Sequence, residues 1–124
     1  IDVGRCKRVN DALGHQAGDE ALQRFSSSLA SALRAGDVLA RWGGEEFVLL
    51  LPATPVDEAA SVIERLRARC ADPANWVGRP ELRVTFSAGL SAHKDGESMQ
   101  QVIARADAAL YRAKSEGRNR LVIG

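Results

Sequence analysis

Two glycines and two carboxylates stand together in Arg41-Trp42-Gly43-Gly44-Glu45-Glu46-Phe47. Glycine lets a ligand approach the backbone amides, and neighbouring carboxylates hold a divalent ion such as Mg²⁺, so this grouping suits the chemistry of a nucleotide phosphate. Apolar runs flank it, Val38-Leu39-Ala40 before and Phe47-Val48-Leu49-Leu50-Leu51 after, the composition of two strands joined by a turn. The segment predicts a β-hairpin with acid at its tip, the Gly43-Gly44 pair taking the positive φ of a tight turn. A solvated turn without chemistry has the same composition, and the segment alone does not separate the two.

Three other groups of residues bear on that choice. Asp2 closes a presumed first strand, and a ferredoxin-like arrangement sets that strand beside the hairpin, where Asp2 and Glu45 would converge on one metal and leave positions for phosphate oxygens. Alone, an Asp at a strand end is a common turn former. Residues 10–19, Asn10-Asp11-Ala12-Leu13-Gly14-His15-Gln16-Ala17-Gly18-Asp19, form a loop rich in polar residues and glycine. There Asp19 is able to accept from N1–H and the exocyclic amine of guanine, and the Asn10 amide can add edge contacts. Helix capping by Asp19 and an Asx-turn at Asn10 explain the same residues, and both readings stay open. Near the C-terminus Arg112, Lys114, Arg118 and Arg120 gather around a helix end. Lys114 and Arg118 are placed to neutralise a triphosphate, although cations in a last turn also offset the helix dipole.

The elements that must position these groups follow from periodicity. Ala21, Leu22, Phe25, Leu29 and Leu33 recur at helical spacing, which predicts a helix over 19–34 with Asp19 as N-cap and Gly36 beyond its end. Thr54-Pro55-Val56-Asp57 supplies a cap and a proline for a second helix over 55–71, with Val62, Ile63, Leu66 and Cys70 as its stripe. Pro73, Gly78 and Pro80 mark a loop over 72–80. Leu82, Val84, Phe86, Ala88 and Leu90 alternate with smaller or polar residues and predict a half-buried strand. Ser98 and Gln101 form a capping box before a helix that stops at Gly117, and a strand over 120–123 follows. Strand, helix, hairpin, helix, strand, helix, strand predicts an α+β sandwich, a mixed central sheet covered by helices rather than a doubly wound parallel sheet.

Composition narrows the class. At 124 residues the chain fits a single domain over 1–124 whose start is missing, because Ile1-Asp2-Val3 reads as the end of a strand. Seventeen basic against 16 acidic residues, a formal charge of +1, give no global attraction to nucleic acid or membrane, so any basic function is local. The longest run of large apolar side chains, Phe47 to Leu51, is far short of the ~20 residues that span a bilayer. With no signal-peptide pattern, a soluble cytoplasmic domain is expected, with Cys6 and Cys70 as free thiols.

Taken together these residues resemble the GGDEF family of diguanylate cyclases, with the signature present as Gly43-Gly44-Glu45-Glu46-Phe47. The similarity continues through Lys7-Arg8-Val9-Asn10-Asp11, Gly14-His15, Ala17-Gly18-Asp19-Glu20, Ala106-Asp107-Ala108-Ala109-Leu110-Tyr111-Arg112-Ala113-Lys114 and Gly117-Arg118-Asn119-Arg120, nearly the whole chain. The resemblance implies a nucleotidyl-cyclase-like sandwich that joins two GTP into cyclic di-GMP and releases two pyrophosphates. Each copy in a homodimer would hold one GTP, its 3′-hydroxyl facing the partner's α-phosphate. It further implies Asp2, the Val3 carbonyl and Glu45 as ligands of Mg²⁺ or Mn²⁺, with Glu45 helping to remove the 3′-hydroxyl proton and Glu46 supporting the site. Asn10 and Asp19 match the guanine readers, and His15 another substrate position. Gly43 and Gly44 would admit the phosphates, and Lys114 and Arg118 match the phosphate-binding cations.

Arg34-Ala35-Gly36-Asp37 has the Arg-x-x-Asp form of the family's inhibitory site, which predicts product inhibition with Arg65 joining from the next helix. Arginine offers a planar fork and Asp accepts from guanine donors, which suits a guanine nucleotide. The chain departs from the family at Gly4-Arg5-Cys6, where the family usually has Asp, a variable residue and Phe; the loss of that acid predicts weakened metal binding. An upstream segment and an attached sensory or regulatory domain are expected in the parent protein, which is membrane-attached, if at all, only through another domain. The rival to the enzyme is a catalytically idle receptor of cyclic di-GMP or GTP.

Overall fold

A computed structural model of the chain describes residues 1–4 and 6–124. The elements in order are β1 (Asp2–Gly4), α1 (Cys6–Leu13), α2 (His15–Ser31), β2 (Val38–Arg41), β3 (Phe47–Leu50), α3 (Val56–Ala71), β4 (Thr85–Leu90), α4 (Met99–Ser115) and β5 (Leu121–Ile123). Two short 3₁₀ turns, Pro73–Trp76 and Pro80–Leu82, lie between α3 and β4. β4 pairs antiparallel with β1 and parallel with β5, and β2 pairs antiparallel with β3. The hairpin joins the free edge of β1 through an Asp2–Glu46 bridge, a Val3 amide bond to the Glu45 carbonyl (2.9 Å) and a Phe47 amide bond to the Ile1 carbonyl (2.9 Å). The strand order is therefore β2-β3-β1-β4-β5, a mixed sheet in an α+β sandwich, as the alternation of elements predicts.

The period-2 alternation of β4 divides the two layers. Val84, Phe86 and Ala88 point to the face shared with Val3 of β1, Phe25 and Leu29 of α2, and Ile63 and Leu66 of α3, all buried in one cluster. Phe25 sits between Phe47 and Phe86, with ring centroids at 5.4 and 5.5 Å in tilted and edge-on geometry. Truncating a buried ring of this kind costs about 3–5 kcal/mol. On the opposite face β4 carries Ser87 and Gly89. A Cβ at Gly89 would collide with the Ala106 carbonyl and the Leu110 amide, so the absence of a side chain lets α4 lie directly on the strand.

Several expectations are corrected. The polar stretch before Asp19 is not a loop: residues 6–13 form α1, anchored by buried Cys6 and Val9, and α2 already begins at His15. Only Gly14, at φ 92°, breaks the two helices, which its freedom in the left-handed region allows. Asp19 lies inside α2 and caps nothing, and Asn10 lies inside α1 and forms no Asx-turn. α2 ends at Ser31 rather than 34. Pro55, not Thr54, is the N-cap of α3, and the Thr54 hydroxyl instead donates to the Pro52 carbonyl. β4 begins at Thr85, because Pro80–Leu82 turn in a 3₁₀ helix. The Ser98–Gln101 capping box, the stop at Gly117 and the final strand are as expected. Among the described residues no helix is long and apolar enough to cross a membrane, and Cys6 and Cys70 are free thiols.

Candidate nucleotide and metal site

The hairpin tip is a loop over Trp42–Glu46 rather than a two-residue turn. The Trp42 and Gly43 amides donate to the Glu46 carbonyl at 2.8 and 3.3 Å, which closes the loop. Arg41, the last residue of β2, reaches forward and donates to the carbonyls of Gly43 (3.2 Å) and Gly44 (2.7 Å). The expected positive φ is not found at either glycine; the longer loop turns without it. What the glycines supply is space, since a Cβ at Gly44 would meet nothing within 4 Å. Both glycine carbonyls are taken by Arg41.

Asp2 and Glu45 meet at the junction of this loop with β1. The Val3 amide donates to the Glu45 carbonyl, which sets the Glu45 backbone directly beside the strand. Asp2 is buried, and Lys114 of α4 donates to its Oδ2 at 3.1 Å. The thiol of Cys6, at the start of α1, lies within electrostatic reach of both carboxylates. Burial pushes that thiol up to about 12, and the negative charges of Glu45 and then Asp2 push in the same direction. Cys6 is buried and packs in the core cluster. Among the described residues no three His, Cys, Asp or Glu side chains gather closely enough to enclose an ion. Two carboxylates and a backbone carbonyl, all hard oxygen donors, fit an Mg²⁺ or Mn²⁺ that completes its shell with phosphate oxygens and water. Glu46 is exposed, and its bridge to Asp2 puts it on the same sheet face.

At Gly4 a Cβ would meet only the Thr85 carbonyl and hydroxyl, both at 3.7 Å. Packing therefore does not require glycine here, and the position has room for an acid. Arg5, in the same departure from the family pattern, lies outside the described residues.

The base-reading residues fall on two adjacent helices. Asp19 is exposed and lines an open cavity of about 500 Å³ together with Leu22, Gln23, Ser26, Leu39, Arg41 and Phe47, so it stands across from the hairpin. Asn10 Oδ1 is buried and has no hydrogen-bond partner among the described residues. It lies over Gly18, where any Cβ would collide with it. A buried unpaired acceptor is costly, and a donor from a ligand would relieve it. His15 is exposed at the first position of α2.

The phosphate-binding candidates come from the end of α4. The Gly117 amide bonds to the Lys114 carbonyl and the Arg118 amide to the Ala113 carbonyl (2.9 Å), a Schellman ending. Gly117, Arg118 and Asn119 then take φ of 122°, 64° and 46° in succession. A left-handed non-glycine residue costs about 1 kcal/mol or more and persists where surroundings fix it. Here the Asn119 amide donates to the hydroxyl of Ser87 at 3.1 Å, and Arg67 of α3 donates to Asn119 Oδ1 (3.1 Å) and its carbonyl (3.2 Å). Arg118 itself is exposed.

The Arg-x-x-Asp residues form a closed turn. The Arg34 amide donates to Asp37 Oδ2 at 3.1 Å, the Asp37 amide returns to the Arg34 carbonyl at 3.1 Å, and the Arg34 guanidinium lies 3.9 Å from Asp37 Oδ1 and donates to the Thr54 hydroxyl. Arg65 stands exposed on α3, and no ion pair joins it to this turn among the described residues. Sequence reasoning missed Arg41, Ser87, Arg67 and the structural use of Asn119. Asn after a helix-ending glycine, with its tolerance of the left-handed region, signals the last; Ser87 and Arg67 depend on long-range contacts, and Arg41 on the local path of a loop longer than a tight turn.

The diguanylate cyclase GGDEF domain family matches residues 1–120. Diguanylate cyclase DgcM of Escherichia coli K12 is 48% identical over 122 residues, covering 98% of this chain and 29% of that protein. The chain thus spans less than a third of that relative's length. The crystal structure of diguanylate cyclase SiaD in complex with its activator SiaC, from Pseudomonas aeruginosa, superposes with a TM-score of 0.89 at 45% identity, over 99% of this chain and 47% of that one. The GGDEF domain of DgcB from Caulobacter crescentus, in complex with cyclic di-GMP, gives 0.89 at 33% identity, over 98% and 73%.

Proposed function

The chain belongs to the diguanylate cyclase GGDEF domain family, and from that premise we propose that it condenses two GTP into cyclic di-GMP with release of two pyrophosphates, at the interface of a homodimer. The observation that carries the reading is the docking of the hairpin on β1, which sets the Glu45 backbone beside the strand that carries Asp2, with Lys114 held on Asp2. A bound Mg²⁺ would screen the triphosphate and lower the pKa of the attacking 3′-hydroxyl.

The chain's own residues do the rest. Asp19 and Asn10 bind the guanine edge, and the buried Asn10 oxygen gains the donor it lacks. Gly43 and Gly44 admit the phosphates without a clashing side chain, and His15, exposed at the start of α2, is a further substrate contact. Lys114, the counter-ion of Asp2, stands ready to turn to a phosphate oxygen once Asp2 is otherwise neutralised, and Arg118 adds a second positive charge against the leaving pyrophosphate. Glu45 takes the proton of the 3′-hydroxyl, and Glu46 supports the same sheet face. One copy presents one GTP, so bond formation needs the second copy opposite. Cyclic di-GMP restrains the reaction by binding at Arg34, Asp37 and Arg65, and a regulatory domain elsewhere in a cytoplasmic parent protein controls the encounter.

The full-length protein incubated with GTP and Mg²⁺ should yield cyclic di-GMP and two pyrophosphates per product on ion-exchange chromatography. A folded dimer that yields none overturns the cyclase reading; cyclic di-GMP binding by such a dimer would make it a receptor.

A further inference from the structure

The turn that carries Arg118 is held from outside its own helix. Every polar group of Asn119 but the side-chain nitrogen is taken: the amide by the Ser87 hydroxyl, the carbonyl and Oδ1 by Nη1 of Arg67. Arg67 is itself aimed by Glu64, which accepts from Nε and from Nη2 (2.9 Å) and leaves Nη1 to reach across to Asn119. A grip on both the backbone and the side chain of one residue fixes its conformation, which a single bond would not. Ser87 lies opposite Asp2 in the β1–β4 register, so the strand pair that carries the metal-binding acid also sets the height of the turn.

We propose that Arg67 is a positioning residue for GTP: by locking Asn119 it holds the left-handed Gly117-Arg118-Asn119 backbone that presents Arg118 to the triphosphate. The inference rests on the proposed role of Arg118 as a phosphate-binding cation. Arg67 touches no substrate in it; it is directed to Asn119, while the neighbouring Arg118 is exposed to solvent.

The test measures binding of 3′-deoxy-GTP, which lacks the hydroxyl needed for turnover, and of guanosine to the full-length protein with Mg²⁺. Arg67→Ala should weaken 3′-deoxy-GTP about tenfold, about 1.4 kcal/mol, and leave guanosine unchanged. Arg67→Lys should behave like Arg67→Ala, since an ammonium cannot bridge Glu64 and both Asn119 acceptors. In an Arg118→Ala background, Arg67→Ala should cost nothing further. Equal losses for guanosine, a full additional loss in the Arg118→Ala background, or parent-like affinity in folded Arg67→Lys each overturn the proposal. If Arg118→Ala itself leaves 3′-deoxy-GTP affinity intact, the phosphate assignment fails and the positioning role falls with it. If Arg118→Ala weakens binding and Arg67→Ala does not, the positioning role alone fails.

Discussion

The two ends of α4 are closed by opposite means. At the N-terminal end all partners are near in sequence: the Ser98 hydroxyl accepts from the Gln101 amide, the Gln101 side chain accepts from the Ser98 amide, and Glu97 takes Nε and Nη2 of Arg105, each at 2.7 Å. At the C-terminal end Lys114 reaches Asp2 across 112 residues of sequence, and Asn119 is held by Arg67 across 52. The first end satisfies its own cap, and its Glu97 and Arg105 charges neutralise each other. The second uses long-range bonds to hold a strained turn and leaves Arg118 in solvent. Backbone strain held from a distance is the pattern expected of the phosphate-binding role proposed for this end.

That contrast can be broken by substitution. The largest effect belongs to the acid on the hairpin that docks beside Asp2, the partner of Lys114: Glu45→Gln in the full-length protein should lower cyclic di-GMP formation by about 100-fold or more, in the range typical for loss of a general base. Its melting temperature should stay near that of the parent, because Glu45 is only half-buried and its backbone bond to Val3 survives. Unchanged turnover would remove Glu45 from the chemistry. Next, Arg118→Ala and Arg118→Gly should both weaken GTP about tenfold, the loss of one charge-assisted contact. The two should differ in stability, with the glycine variant more stable by about 1 kcal/mol because only glycine takes φ near 64° without strain. Equal denaturation midpoints would show that the turn stores no strain.

The N-terminal end should respond in the opposite way. Ser98→Ala removes a cap and should cost about 1 kcal/mol, or about 4 °C in Tm for a domain of this size, while GTP affinity stays unchanged. A fall in GTP affinity without loss of stability would invert the comparison.

The same contrast explains what the sequence made legible. The capping box, the stripe of α4 and the alternation of β4 were readable because their partners are a few residues apart and their periodicity is set by burial. The docking of the hairpin on β1 was readable only through a topology, and the structure pairs Val3 with Glu45 and Asp2 with Glu46 there. α1 was hidden because only Cys6 and Val9 of its residues are buried, too few to make a visible stripe amid the polar residues around Asn10. Gly43 and Gly44 were assigned a conformation they do not need, because the loop is longer than a tight turn. Arg67 gave no signal at all: its partner lies 52 residues away, and a lone Arg on an amphipathic helix reads as solvated surface.

The smallest expected effect tests whether the N-terminal end of α4 is as self-contained as its bonds imply. The Arg105 guanidinium, donating to both carboxylate oxygens, and the Lys94 amide hold the Glu97 carboxyl down to about 2. In the unfolded chain the same group titrates near ~4.3. A folded-state value below the unfolded one means that the pairing stabilises the protein fully above the unfolded value and loses that contribution as pH falls from about 4.3 toward 2. The parent should therefore lose stability relative to Glu97→Gln as pH is lowered through this window, with the gap between their urea midpoints narrowing step by step. GTP affinity at neutral pH should be the same in both. A gap that is constant from pH 6 to 3 would mean that the Arg105 pairing adds nothing in the folded state, and that the capping box alone secures this end of the helix.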